Sequence, residues 1–212
     1  MPNEWQKLPA SFYLRTDVVQ IARELIGKIL VSHFDGVITA GRIVETEAYN
    51  GVGDKASHAF GGRRTNRTEV MYGNGGKAYV YFCYGMHHLF NVVTNVEGTP
   101  HAVLIRALEP IIGAEEMLLR TGKPKADYTL TKGPGNVAKA LGINTKHTAC
   151  SLMDNELFIV GDGIELSEEN IIVTPRIGVA YAKEDALLPY RFYIKNNKYV
   201  SGKKKDNDPT NI

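Results

Sequence analysis

From Lys28 to Tyr49 the chain alternates apolar and polar residues in two runs, Lys28 to Phe34 and Val37 to Tyr49, with Asp35-Gly36 between them. Alternation at a period of two specifies strands with unlike faces, and an Asp-Gly pair between two such runs is a strong signal for a tight hairpin. The second arm contains Gly41 to Tyr49, GRIVETEAY, where the strand period puts Ile43, Glu45, Glu47 and Tyr49 on one face and Arg42, Val44, Thr46 and Ala48 on the other. Two carboxylates therefore share a face with an aliphatic and an aromatic side chain. Burial of that face would disfavour the charge on at least one carboxylate, through desolvation and like-charge repulsion, and so suit it to general-base work. The competing expectation is a solvated strand face or a pair of structural ion pairs.

The 212 residues, 43% hydrophobic and 23% charged, fit one globular domain with a substantial core. A net charge of +2 permits a polyanionic partner without arguing for one. Local charge says more: Lys55, Arg63, Arg64, Arg67 and Lys77 outweigh Asp54 and Glu69 just after the candidate strand. Cys83 and Cys150 offer no paired metal spacing and too few links for a disulfide framework, which fits a reducing cytoplasm. The N-terminus has no basic region followed by an apolar run, and no stretch approaches the ~20 apolar residues of a membrane span. No membrane partner is expected.

Other segments follow the same logic. Thr16 or Asp17 can cap a helix carrying Val18, Ile21, Ala22, Leu25 and Ile26, with Gln20 placed for a capping box and Gly27 as its stop. Asn50 to Asn66 is aperiodic and predicts a long ordered loop. Its Gly51-Val52-Gly53 resembles a dinucleotide fingerprint, but no helix can open there, and Gly73 to Lys77 lacks phosphate-loop spacing and reads as a turn. Ala78 to Tyr84 is a strand followed at once by Gly85, and His88 to Thr94 resumes extended spacing, so Tyr84 lies close to a hairpin tip. There it either stands free or folds back on the hairpin. Ala102 to Leu108 is an apolar strand broken by Arg106, which must snorkel, pair with a carboxylate or face a cavity. Helices are expected at Ala114 to Thr121 and Gly135 to Leu141, and strands at Leu157 to Val160, Ile171 to Pro175 and Arg191 to Lys195. His87 and His88 point to opposite sides of a strand and make a poor metal pair.

GRIVETEAY, the ASHAFGGRRT loop, AYVYFCYGM through HHLFN, VLIRALEP, LTKGPG and the late RIGVAYAKEDALLPYRFYI occur in one order between about Ala22 and Ile194. Together they closely resemble the alkyladenine (3-methyladenine) DNA glycosylase family. The resemblance implies an α+β fold, one domain over 1–201 with a curved, mainly antiparallel sheet, hairpins and a few short helices, and the composition of 202–212, GKKKDNDPTNI, predicts a disordered tail after it. It implies no cofactor and no metal, and a monomer acting in the cytoplasm on damaged double-stranded DNA, excising 3-methyladenine, hypoxanthine or ethenoadenine. Carried onto this sequence, Glu47 would activate water, with Arg106 and the Ile177 carbonyl helping to position it. Tyr49, His58 and Tyr81 would sandwich the flipped base, and Asn91 would stand where the amino group of guanine collides or goes unpaired. Tyr84 would fill the gap left in the duplex beside Met86, with Arg63, Thr65 and Arg67 as DNA contacts.

The chemistry of the residues agrees. A base inside a duplex must leave the stack before water reaches its sugar, and an aromatic hairpin tip can replace the lost stacking. Electron-poor alkylated purines favour electron-rich rings such as Tyr49 and Tyr81. Two other classes compete: a non-catalytic damaged-DNA-binding module, which would need Tyr84 but not Glu47, and a carbohydrate hydrolase. In the latter, Glu45 and Glu47 would stand roughly 6.6 Å apart along the strand but on one side, whereas an acid and a base must flank the scissile bond.

Overall fold

Asp17 starts the first substantial helix: its side chain accepts hydrogen bonds from the Val19 and Gln20 amides at 3.0 and 2.9 Å, satisfying donors that a helix leaves orphaned. Gln20 does not complete a capping box; its side-chain Nε2 donates to Glu24 instead. In the computed structural model, which describes residue 2 and residues 4–202, the strands and helices run in the following order. They are β1 (Gln6–Lys7), α1 (Ala10–Tyr13), α2 (Val18–Glu24), β2 (Ile29–Phe34), β3 (Val37–Tyr49), β4 (Ala78–Cys83), β5 (His87–Thr94), β6 (His101–Ile112), α3 (Ala114–Thr121), α4 (Pro134–Leu141), β7 (Leu157–Gly161), β8 (Ile171–Thr174) and β9 (Arg191–Ile194). The tail expected at 202–212 lies outside the described residues except for Gly202. No helix among the described residues is long and apolar enough to cross a membrane.

All nine strands join one sheet in the order β1-β7-β2-β3-β6-β5-β4, with β9 pairing β3 and β8 pairing β9. Every pairing between these strands is antiparallel. Asp35 and Gly36 both take positive φ, 53° and 78°, as a two-residue turn of the primed type requires. β3 is the axis of the sheet. On one edge it pairs with β2 as far as Arg42 and with β9 from Glu45 to Glu47, while β6 runs along the other edge.

The β3–β6 register slips between Ile43 and Glu45 and again between Glu45 and Thr46. These bulges break the strict alternation expected for GRIVETEAY, because an unpaired residue re-aims those that follow. Ile43 packs with Ala48 and Leu108 in the main core, and Thr46 Oγ1 donates to Ala22 O of α2 at 2.8 Å. Val44 joins Ala107, Tyr193 and Val200 in a separate cluster. Ile43 is therefore not a neighbour of the two glutamates; Val44 takes that place. β6 also runs longer than expected, carrying Pro110 opposite Gly41 next to a third register shift, where a missing ladder donor is tolerated. Neither β1 nor α1 is marked by any periodic or capping signal in the sequence.

One sheet face is covered by α2, α3 and α4, whose Ile21, Ala22, Met117, Val137 and Leu141 bury with Phe90, Val103 and Ile105. The opposite face carries Tyr79, Ala102 and Val93 against Ala59 and Met71 from the 50–72 loops. Gly75 locks the approach to β4, since a Cβ there would stand 2.4 Å from Tyr13 O. The β4–β5 hairpin ends at Cys83 opposite His87, so Tyr84 belongs to the turn and not to the strand. Tyr84 holds φ at +53° and is 83% exposed, a backbone cost of about 1–2 kcal/mol for a non-glycine residue with no packing gain. Replacement of fully buried Phe90 by Ala should lower the unfolding free energy by about 3–5 kcal/mol, and Tyr84→Ala by less than about 0.5 kcal/mol, both read from urea transitions. Similar losses for the two would return Tyr84 to a core-filling role.

Candidate active site

Glu45 and Glu47 project from β3 toward Arg106 on β6, and both are fully buried. Arg106 Nε donates to Glu45 Oε1 at 3.1 Å and Nη1 to Glu47 Oε2 at 3.2 Å, so a cation stands between carboxylates that would otherwise repel. Burial opposes the Arg106 charge, but the Glu47 and Glu45 carboxylates outweigh it and hold the guanidinium ionised. The two glutamates are otherwise unlike. Glu45 also accepts from Arg191 Nε at 2.7 Å, Ser201 Oγ at 2.9 Å and the Ser201 amide at 2.6 Å, which saturates it. Glu47 accepts from Tyr49 OH at 2.9 Å and from the Ile177 amide at 2.7 Å besides Arg106. An ionised carboxylate has about four acceptor positions, so Glu47 can take one more donor. Ile177 thus meets Glu47 through its N–H, a contact different from the carbonyl role the sequence resemblance implies.

Glu47 lies under the floor of an open cleft of about 860 Å³ whose wall includes Tyr49, Leu104, Arg106 and Ile177. Burial, then the Glu47 carboxylate, raises the Tyr49 phenol well above the ordinary tyrosine value, so it remains a neutral donor. A smaller recess of about 40 Å³ shares Tyr49, Ser57, His58, Tyr81 and Tyr181 with the cleft and reaches Tyr79 and Asn91. The structure thus brings together the four side chains the sequence singled out for base contact. His58 meets Tyr81 edge-on at 4.6 Å between ring centroids, and its Nδ1 is 2.8 Å from Tyr79 OH. This hydrogen bond ties the His58 ring to the buried Tyr79 hydroxyl on β4. Asn91 is pinned: its Nδ2 donates to Tyr79 O at 3.1 Å and Leu89 O at 3.3 Å.

Basic residues edge the cleft. Arg63 and Arg67 line it, with the Arg67 guanidinium 6.0 Å from the Tyr81 ring. Thr65 is exposed but does not line the cleft; its hydroxyl and amide bond Thr68 within the loop. Tyr84 also lines the cleft, flanked on the hairpin tip by Phe82 and Met86, which are half or more exposed. Tyr84 stands free; it does not fold back on the hairpin.

Sequence reasoning missed four contributors. Tyr79 shares the β4 face with Tyr81 and could have been read from strand period. Tyr181, which donates to Ala56 O at 3.1 Å across the cleft wall, carried no periodic signal. Asp54 and Arg176 are far apart in sequence yet form a buried bidentate pair at 2.5 and 2.8 Å, and only folding brings them together.

A family model described as methylpurine-DNA glycosylase matches residues 11–198. A relative from Bacillus cereus (strain G9842) is 48% identical over 92% of this chain and 98% of its own length. One from Bacillus mycoides (strain KBAB4) is 49% identical over 91% and 98%, and one from Bacillus thuringiensis (strain Al Hakam) 47% identical over 92% and 98%. All three carry the provisional name 3-methyladenine DNA glycosylase.

His58 yields a direct test of the recess. Burial first, then the Arg67 and Arg63 charges, lowers its pKa from 6.5 to about 4. The imidazole should therefore stay neutral through the physiological range, its Cε1–H resonance titrating with a midpoint near 4. A depressed histidine contributes stability that is complete above about 6.5 and is lost as pH falls toward about 4, because the unfolded chain takes the proton first. A midpoint near 6.5 by NMR would mean that the recess is solvated.

Proposed function

The chain belongs to the methylpurine-DNA glycosylase family, and from that premise we propose that it flips an alkylated or deaminated purine out of duplex DNA and hydrolyses its N-glycosidic bond with a water activated by Glu47. By family it is a DNA-3-methyladenine glycosylase, a hydrolase of base-excision repair. The proposed lesions are 3-methyladenine, hypoxanthine and ethenoadenine. The observation that carries the mechanism is the buried Glu47 carboxylate, fixed by Arg106, Tyr49 and Ile177 under a cleft walled by aromatic rings.

Arg63, Arg67 and neighbouring cations draw the phosphate backbone to the cleft without reading sequence. Extrusion of a nucleotide costs a few kcal/mol, and Tyr84, already extended from its turn, offsets part of that by stacking in the vacated space. The flipped base stacks among Tyr49, His58 and Tyr81. Phenol faces favour a cationic 3-methyladenine over an ordinary purine, and a neutral His58 adds no positive charge against it. Asn91, held by two carbonyls, cannot swing aside, so the exocyclic amino group of guanine meets a fixed obstacle.

Water then bonds to C1′ as Glu47 takes one of its protons, while the C1′–N9 electron pair leaves with the base. A cationic 3-methyladenine departs neutral and needs no added proton; the neutral hypoxanthine and ethenoadenine depart as anions and take their proton from solvent water. The anionic carboxylate also favours the positive charge that develops on the sugar. The product is an abasic site. Lys55, a lysine on the cleft wall, is hydrogen-bonded to Glu184, which raises its pKa rather than freeing the amine as a nucleophile. This supports a monofunctional enzyme without a Schiff-base step. In this proposal the enzyme acts as a monomer in the cytoplasm.

Release of free base from duplexes carrying hypoxanthine or ethenoadenine tests the scheme. Glu47→Gln should slow single-turnover release by roughly 10²–10⁴-fold and largely preserve lesion binding; undiminished release would remove Glu47 as the base. No release by the wild type, with alkylated DNA also untouched, would leave a damage-binding module. Tyr84→Ala should weaken lesion binding more than Arg63→Ala at matched salt. Removing Arg63 or Arg67 should flatten the log affinity against log salt plot by about 0.9 for each phosphate no longer neutralised, and an unchanged slope would place that arginine off the backbone.

A further inference from the structure

The Asp54–Arg176 pair lies outside the Glu45–Glu47–Arg106 cluster, and its geometry is unusually restrictive. The Arg176 side chain is wholly buried and bonds both carboxylate oxygens of Asp54. It also donates to Ala48 O at 2.9 Å and Asp185 O at 3.1 Å, and lies 4.9 Å from the Tyr49 ring centroid. Its Nε is buried without a partner among the described residues. Asp54 in turn accepts from the Asn50 and Ala56 amides, both at 3.0 Å, closing the turn that leads to His58.

A buried ion pair roughly breaks even against apolar side chains of the same size, and an orphaned donor tilts the balance further against it. Stability alone therefore does not account for this pair. What it fixes is placement. Ile177, whose amide holds Glu47, follows Arg176 directly in the chain, and Ala48, whose carbonyl Arg176 grips, lies between Glu47 and Tyr49. We infer that Arg176, paired with Asp54, is a positioning residue that holds the Ile177 amide on Glu47 in register with the turn before His58, so that a single ion pair aims the carboxylate at the bound nucleotide. The inference rests on Glu47 acting as the base that activates water.

The test compares the double variant Asp54→Leu/Arg176→Met, which removes the pair without stranding a charge, with Asp54→Asn, which keeps the shape and removes one charge. Base release is followed in single turnovers on a hypoxanthine duplex, and lesion affinity is measured with the same changes placed on Glu47→Gln. Release should slow on the order of 10²-fold, the scale of a small misplacement of reacting groups, while affinity falls by much less. Unchanged release in the folded double variant overturns the inference. Equal loss of rate and affinity overturns it too, since a merely structural pair would affect both alike. If the double variant does not fold, the same comparison in Asp54→Asn decides. Absence of release by the wild type would sink the Glu47 chemistry and this inference with it, whereas wild-type release with unaffected variants sinks the inference alone.

Discussion

Arg106 between two buried carboxylates is the interaction on which the rest of the molecule depends. Two ionised glutamates in an apolar sheet would be strongly destabilising, since burying a charge without a partner costs several kcal/mol. One guanidinium, bonded to each, lets them coexist. Arg191 and Ser201 then complete the shell of Glu45 and leave Glu47 the less saturated of the two. On the proposed function, this asymmetry is what separates a structural acid from a chemical one.

The sheet divides labour between its faces. The helical face supplies a continuous apolar core, and the opposite face is left to loops that bring His58, Ile177 and Tyr181 over β3, β4 and β6. The bulges in β3 make this division possible at the point where it matters. A strict alternation would have sent Ile43 to the polar side; with Val44 unpaired, Ile43 stays in the core and both glutamates still reach Arg106. Local irregularity in the ladder is thus how one strand serves both the core and the site.

The exposed hairpin tip follows a different logic. Tyr84 holds a left-handed backbone conformation with its ring in solvent, an arrangement that neither local propensity nor packing rewards. It becomes intelligible when the partner is a duplex with a base missing from its stack. Arg63 and Arg67 line the same cleft and help keep His58 neutral; in the proposed function they also draw the duplex within reach. Charge at the edge and neutrality at the wall are consistent demands.

The sequence by itself determined the β2–β3 hairpin, the capped helix after Asp17, the placement of the β4–β5 turn and the family, because each is written in local periodicity, turn chemistry or motifs a few residues long. It also named Glu47, Tyr49, His58, Tyr81, Asn91 and Arg106, which the structure gathers around one cleft and its recess. Tertiary structure alone decided the bulges that put Val44 in place of Ile43, the use of the Ile177 amide, and the pairing of Asp54 with Arg176. It also decided which glutamate is saturated. The last three outcomes depend on contacts between residues more than a hundred positions apart, and the bulges on the pairing of β3 with β6, which no local pattern encodes: desolvation forces buried donors and acceptors to find partners, but which partners are within reach is fixed only when the sheet closes.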